Sequence, residues 1–194
     1  MTTAAPMRTP NRIALADCLP QPWRNGGGTT RELLAWPRSG DWRVRVSVAE
    51  IARAGDFSAY PGVARCFAVL EGAGVELALP GRRLTLTAHS EPVQFDGAEA
   101  PHCRLLDGPT QDLNLMVQQG AGRAHMRRAP PGSRLPGGAR WRGLYAADAL
   151  QLELGSARCE ALAAGTLLWS DAGDAAAWTV REGGRAWWLT LEAA

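Results

Sequence analysis

The chain has 194 residues, 46% hydrophobic and 21% charged, with 21 basic against 19 acidic side chains and a net charge of +2. This is the composition of a globular protein rather than a disordered one, with length enough for one substantial core or two closely fused barrels. So small a net charge gives no broad positive field to gather phosphates, which argues against nucleic acid as a partner.

The first dozen residues, MTTAAPMRTPNR, lack the apolar stretch of a signal peptide, and no apolar run approaches the roughly 20 residues that span a bilayer. A soluble, cytoplasmic protein with no membrane partner is expected. Cys18, Cys66, Cys103 and Cys159 form no C-x-x-C pair, so neither a zinc ribbon nor a thioredoxin-like motif is present, and reduced, mostly buried thiols are the simplest reading. All basic residues are Arg, whose rigid fork suits paired contacts with a carboxylate, although a GC-rich genome produces the same usage.

Short stretches rich in Val, Leu, Trp and Thr alternate with Gly and Pro throughout, which predicts an all-β protein. The run Asn25-Gly26-Gly27-Gly28-Thr29-Thr30 lacks the Lys and the following helix of a phosphate cradle and reads as a sharp turn into a strand near Arg31. Arg43 to Ala49 is the clearest strand: Val44, Val46 and Val48 lie on one face, Arg43, Arg45 and Ser47 on the other. The loop Phe57 to Gly62 either closes over a barrel mouth or plugs a core. Phe67–Leu70 and Val75–Leu79 flank Glu71-Gly72-Ala73-Gly74 and read as a hairpin. Further strands are expected at Leu84–Ala88, Val93–Phe95, Cys103–Leu106 and Leu113–Gln118, and a connection without regular structure at Gly120 to Gly138.

Beyond that connection, LQLELG, CEALAAGTLLWSD and AWWLTLEA repeat the rhythm of VELALPG, LTLTAHSEPVQFDG and LNLMVQQ. The echo predicts two related barrels packed as one unit: residues 1–120, and residues 121–194 comprising a linker and a Trp-rich half that has lost its pocket. Trp169, Trp178, Trp187 and Trp188 are expected to form that half's core or its interface with the first barrel. Exposed on the surface they would instead make an interaction module or a homodimer face.

Four blocks in order, PWRNGGGTTREL at Pro22–Leu33, DWRVRVSVAEI at Asp41–Ile51, GDFSAYPGVARCFAVLEGAG at Gly55–Gly74 and DLNLM at Asp112–Met116, resemble the HutD/Ves family, strongly over residues 11 to 120. The resemblance implies a cupin-like double-stranded β-helix, in bicupin form. It also implies a tie to histidine utilisation, with binding of N-formylglutamate or a related small carboxylate, or a stress-induced role.

Metal-dependent cupins converge His and Glu ligands on one ion. Here His89, His102 and His125 form no H-x-H pair, and Ser58, Tyr60 and Arg65 stand where the first ligands belong, so no metal and no cofactor is expected. An inward Arg would take the place of the cation. Arg65 either awaits an anionic ligand or pairs with an internal carboxylate, for which Glu50, Glu71 and Asp112 are candidates; Arg45, on the same polar face as Ser47, leans towards the structural role. Asn25 and Asn114 can donate to a ligand carboxylate, or serve as a turn residue and a strand-end cap. His102 sits near the place of the second cupin His, either lining the pocket mouth or lying on the surface.

The expected ligand-binding set is therefore Asn25, Arg45, Ser47, Arg65, His102 and Asn114, with no catalytic residue assigned. The first reading is metal-independent binding of a small acidic metabolite. The second is a cupin-type hydrolase or isomerase on a small acid or sugar, drawing its acid or base from His102, Tyr60, Glu50 or Asp112.

Overall fold

The alternation in Val44–Ile51 decides the architecture. Successive strand side chains point to opposite faces, so Val44, Val46 and Val48 leave one side of the sheet while Arg45, Ser47 and Ala49 leave the other. The three valines are at most 3% exposed. In the computed structural model, which describes residues 9–155, 158–171 and 175–193, this strand lies inside a six-stranded antiparallel sheet. The order across that sheet is Pro20–Pro22, Gly28–Trp36, Val44–Ile51, Thr110–Gln118, Val63–Glu71 and Val93–Asp96.

A four-stranded sheet of Gly55–Asp56, His102–Leu105, Val75–Leu79 and Arg82–Leu86 shares one core with it, built from Phe57, Phe67, Val69, Leu77, Leu86 and Cys103. The C-terminal half repeats the pairing. Five strands, Asn11–Ala14, Thr166–Asp171, Trp141–Ala146, Ala186–Glu192 and Arg123–Arg128, share a core with four, Arg134–Leu135, Trp178–Gly183, Leu150–Leu154 and Arg158–Leu162. A third apolar cluster joins the halves: the valines, Leu113 and Leu115 pack against Trp141, Tyr145, Trp187 and Leu189. The six- and five-stranded sheets are thus covered on both faces.

Helical structure among the described residues is confined to two single turns, Leu15–Asp17 and Gly97–Glu99, and no helix is long and apolar enough to cross a membrane.

Three sequence expectations change. Phe67–Leu70 and Val75–Leu79 are not a hairpin: Val63–Glu71 pairs with Thr110–Gln118 and Val93–Asp96, whereas Val75–Leu79 pairs with His102–Leu105 and Arg82–Leu86. The Gly72-Ala73-Gly74 segment is a corner from one sheet to the other. Gly72 and Gly74 take φ of 93° and 115°, and a Cβ there would meet the carbonyl oxygens of Pro109 at 2.5 Å and Leu86 at 2.2 Å, which glycine alone permits. The hairpin is Val75–Leu79 with Arg82–Leu86, turning at Pro80-Gly81, where Pro presets the first φ and Gly81 adopts 71°.

Second, the expected connection at Gly120–Gly138 contains the strand Arg123–Arg128, which pairs with Ala186–Glu192. Its outward positions carry Arg123, His125 and Arg127, and that charge hides an alternation in which Ala124 is buried. Third, Asn11–Ala14 pairs with Thr166–Asp171, so the first described strand is an edge of a sheet otherwise built from residues 123–192.

Candidate functional site

On the face of the six-stranded sheet opposite the valines, the strand register sets polar side chains in rows. Arg45, Met116, Arg65 and Phe95 lie abreast on four neighbouring strands; one step along, Glu32, Ser47, Asn114 and Phe67 lie abreast on four. Except for Glu32 and Phe95, which stand behind Arg45 and Arg65, the residues of these rows floor a cavity of about 470 Å³, whose lining also includes Asn25 from the loop after Pro20–Pro22. Five of the six residues singled out in the sequence therefore share one cavity.

His102 is not among the lining residues. Its side chain is 55% exposed, and its Nδ1 lies 2.6 Å from Oδ1 of Asp56, which does line the cavity. The strand His102–Leu105 belongs to the four-stranded sheet, and the step at His102 points outward because its neighbour Cys103 is fully buried in the core.

Arg65 is 7% exposed, and among the described residues no carboxylate pairs with it. Its Nη2 donates to Asn114 Oδ1 at 2.8 Å and its Nε has no partner. Three rings surround the guanidinium, with centroids at 4.9 Å for Phe57, 5.2 Å for Phe95 and 5.8 Å for Tyr60, a cage that offsets part of the desolvation. Burial lowers its pKa to about 10, so it stays protonated at neutral pH. Glu50, Glu71 and Asp112 do not reach it. Glu50 and Glu71 are exposed near the ends of their strands, and Asp112, two residues from Asn114 on the same face, accepts from Thr110 Oγ1 at 2.8 Å.

Arg45 does have a carboxylate: its Nε donates to Glu32 Oε2 at 2.5 Å. Asn25 Oδ1 accepts from the Gly27 N–H at 2.9 Å, and Gly28 packs so tightly that a Cβ would stand 2.2 Å from the Glu50 carbonyl oxygen. The glycine run thus makes the turn and also carries Asn25 to the cavity. Trp23 donates from Nε1 to Thr30 Oγ1 at 2.7 Å and adds an aromatic wall. In the loop Phe57 to Gly62, Phe57 enters the core, as the plug alternative expects, and Phe57, Ser58 and Tyr60 line the cavity.

Glu32, Trp23, Arg24, Asp56 and Met116 were not singled out from the sequence. Alternation from Thr30 would have put Glu32 on the cavity face, but a register shift between Glu32 and Leu34 turns both Leu33 and Leu34 to the core and breaks the pattern just beyond it. Among the described residues, no three His, Cys, Asp or Glu side chains gather where they could hold a metal ion.

The HutD family model matches residues 15–188. A protein Ves from Cronobacter sakazakii is 39% identical over 109 residues, 55% of this chain and 60% of that protein. A 21.2 kDa protein in the hutC 3′ region of Pseudomonas putida is 33% identical over 118 residues, 59% of this chain and 61% of that protein, and links the family to a histidine-utilisation locus. The match thus spans about 60% of the length of these curated relatives. The structure of HutD from Pseudomonas fluorescens SBW25 superposes with a TM-score of 0.83 at 26% identity, covering 95% of this chain and 98% of that one. The fold is almost all β and cupin-like. With the family model matched along nearly the whole chain, the protein belongs to the HutD family.

Proposed function

We propose that the cavity binds a small acidic metabolite of the N-formylglutamate kind without a metal, in the service of histidine utilisation. The observation that carries this reading is Arg65: a buried guanidinium with no carboxylate partner among the described residues, in the wall of a cavity. An unpaired buried cation is costly, and an anionic ligand offsets that cost. The Asn114 amide, its oxygen held by Arg65, turns its nitrogen donors elsewhere, and Ser47 adds a hydroxyl in the same row. The relative from the hutC 3′ region supports the tie to histidine utilisation.

Binding without turnover is the expected behaviour. His102 and Asp112 lie outside the lining, and the Tyr60 ring packs on Arg65. The test is a thermal-shift screen with N-formylglutamate, glutamate, urocanate, formate and sugar acids, with and without divalent metals. An acid that stabilises the protein without metal supports the reading. In Arg65→Met that shift is lost, while the ligand-free variant melts no lower than the parent because an unpaired buried charge has gone. A shift with metal alone, or an acid shift that survives Arg65→Met, would overturn it.

A further inference from the structure

Three arginines line the cavity: Arg24 on the exposed loop, and Arg45 and Arg65 on the floor, of which only Arg45 has a carboxylate among the described residues. Arg45 and Arg65 stand abreast with Met116 between them. Glu32 holds the first through its Nε, with side chains 17% and 27% exposed, while Arg65 has a neutral amide. The pair is electrically coupled, since the charge of Arg45 adds to burial in lowering the pKa of Arg65. Arg24 and Asp56, of opposite charge and also in the lining, are both exposed, Asp56 77% at its side chain and engaged with His102, so solvent screens them and together they do little to the charge of the floor. The floor thus carries two positive charges and one negative.

We propose, resting on the anion-binding reading above, that Glu32 sets the charge class of the ligand head: it leaves the floor with a single net positive charge, which suits a singly charged carboxylate and rejects doubly charged oxyanions such as sulfate and phosphate. A monoanion against Arg65 brings the floor to neutrality. A head group that itself carries two charges leaves one buried negative charge without a partner, beside Glu32, whereas the second carboxylate of a ligand of the N-formylglutamate kind lies off the floor, towards the exposed Arg24. The neutral donors fit the same class: the Asn114 amide and the Ser47 hydroxyl can each take a carboxylate oxygen without adding charge.

Glu32→Gln removes one negative charge and keeps the side-chain shape and an acceptor for Arg45. The experiment is an NMR titration of the folded full chain with sodium acetate and with sodium sulfate at constant ionic strength, for the parent, Glu32→Gln, Arg45→Met and Arg65→Met. The parent is expected to bind acetate in preference to sulfate. Glu32→Gln should gain about tenfold in affinity for each unit of ligand charge, so the ratio of sulfate to acetate affinity rises about tenfold. Arg45→Met, which leaves Glu32 unopposed, should lose at least tenfold for acetate. An unchanged ratio in Glu32→Gln, or unchanged acetate affinity in Arg45→Met, overturns the role of Glu32 and leaves anion binding intact. Failure of the parent and of Glu32→Gln to bind either anion, or binding that persists in Arg65→Met, overturns the anion site itself and this inference with it. Comparing ratios within one variant keeps the result independent of any change in stability.

Discussion

Replacing Trp187 by Ala is expected to lower the free energy of unfolding by about 3–5 kcal/mol, the range for removing a large aromatic side chain from a packed interior. Trp187 is fully buried in the cluster that joins the two halves, together with Trp141, Tyr145, Leu113 and Leu115. The indole is therefore shared by both sheet pairs, and its loss opens a cavity at their seam. Urea denaturation of the parent and the variant measures the difference. A loss below about 1 kcal/mol would mean that the halves do not depend on this seam for stability. The same burial answers one of the questions raised by the Trp-rich sequence. Of Trp169, Trp178, Trp187 and Trp188, the last three are at most 1% exposed and belong to the interior, while Trp169 is partly buried against the cluster that joins the halves.

The second large effect depends on pH. Burial pushes the Asp112 carboxyl up from 3.8 to about 7, a rise that the hydrogen bond from Thr110 only partly offsets, and its Oδ1 has no hydrogen-bond partner among the described residues. Between pH 4 and 7 the unfolded chain has already released this proton while the folded protein retains it. The folded state then binds more protons than the unfolded one, so stability falls as pH rises through that window and levels off above it. From pH 5 to pH 8 this group alone should remove on the order of 2–3 kcal/mol. Asp112→Asn keeps an acceptor for Thr110 and cannot ionise, so its unfolding free energy should lack that decline. At pH 5 the variant is expected to be no more stable than the parent, because its amide brings new donors into the core. Urea titrations at the two pH values check this. A parallel decline in both proteins would show that Asp112 is not the source.

Much of the site is legible in the chain because it rests on local rules. Alternation in Val44–Ile51 separates the core-facing valines from Arg45 and Ser47, and the same rule applied to Val63–Glu71 puts Arg65 and Phe67 on one face with Cys66 and Ala68 on the other. The glycine run at Gly26–Gly28 declares a turn, and Asn25 travels with it. Strand type, strand face and turn position are properties of a few consecutive residues.

Pairing is different, because it depends on which strands meet. Gly72-Ala73-Gly74 reads the same whether it closes a hairpin or turns a corner; the carbonyls of Pro109 and Leu86 that crowd it come from segments far along the chain. The partner of Arg45 could not be read either. Glu32 is brought to it by the register of two strands joined through a loop, and the bulge beyond Glu32 interrupts the alternation that would have announced its face. Asn11–Ala14 joins a sheet made almost entirely of residues beyond 120, which nothing within its four residues signals. The sequence by itself determined an all-β chain, the faces of its clearest strands and five of the polar residues that line the cavity. Tertiary structure alone decided that Arg45 has a carboxylate while Arg65, among the described residues, has a neutral amide, since a charge balance is fixed by distances between strands and not by order along the chain.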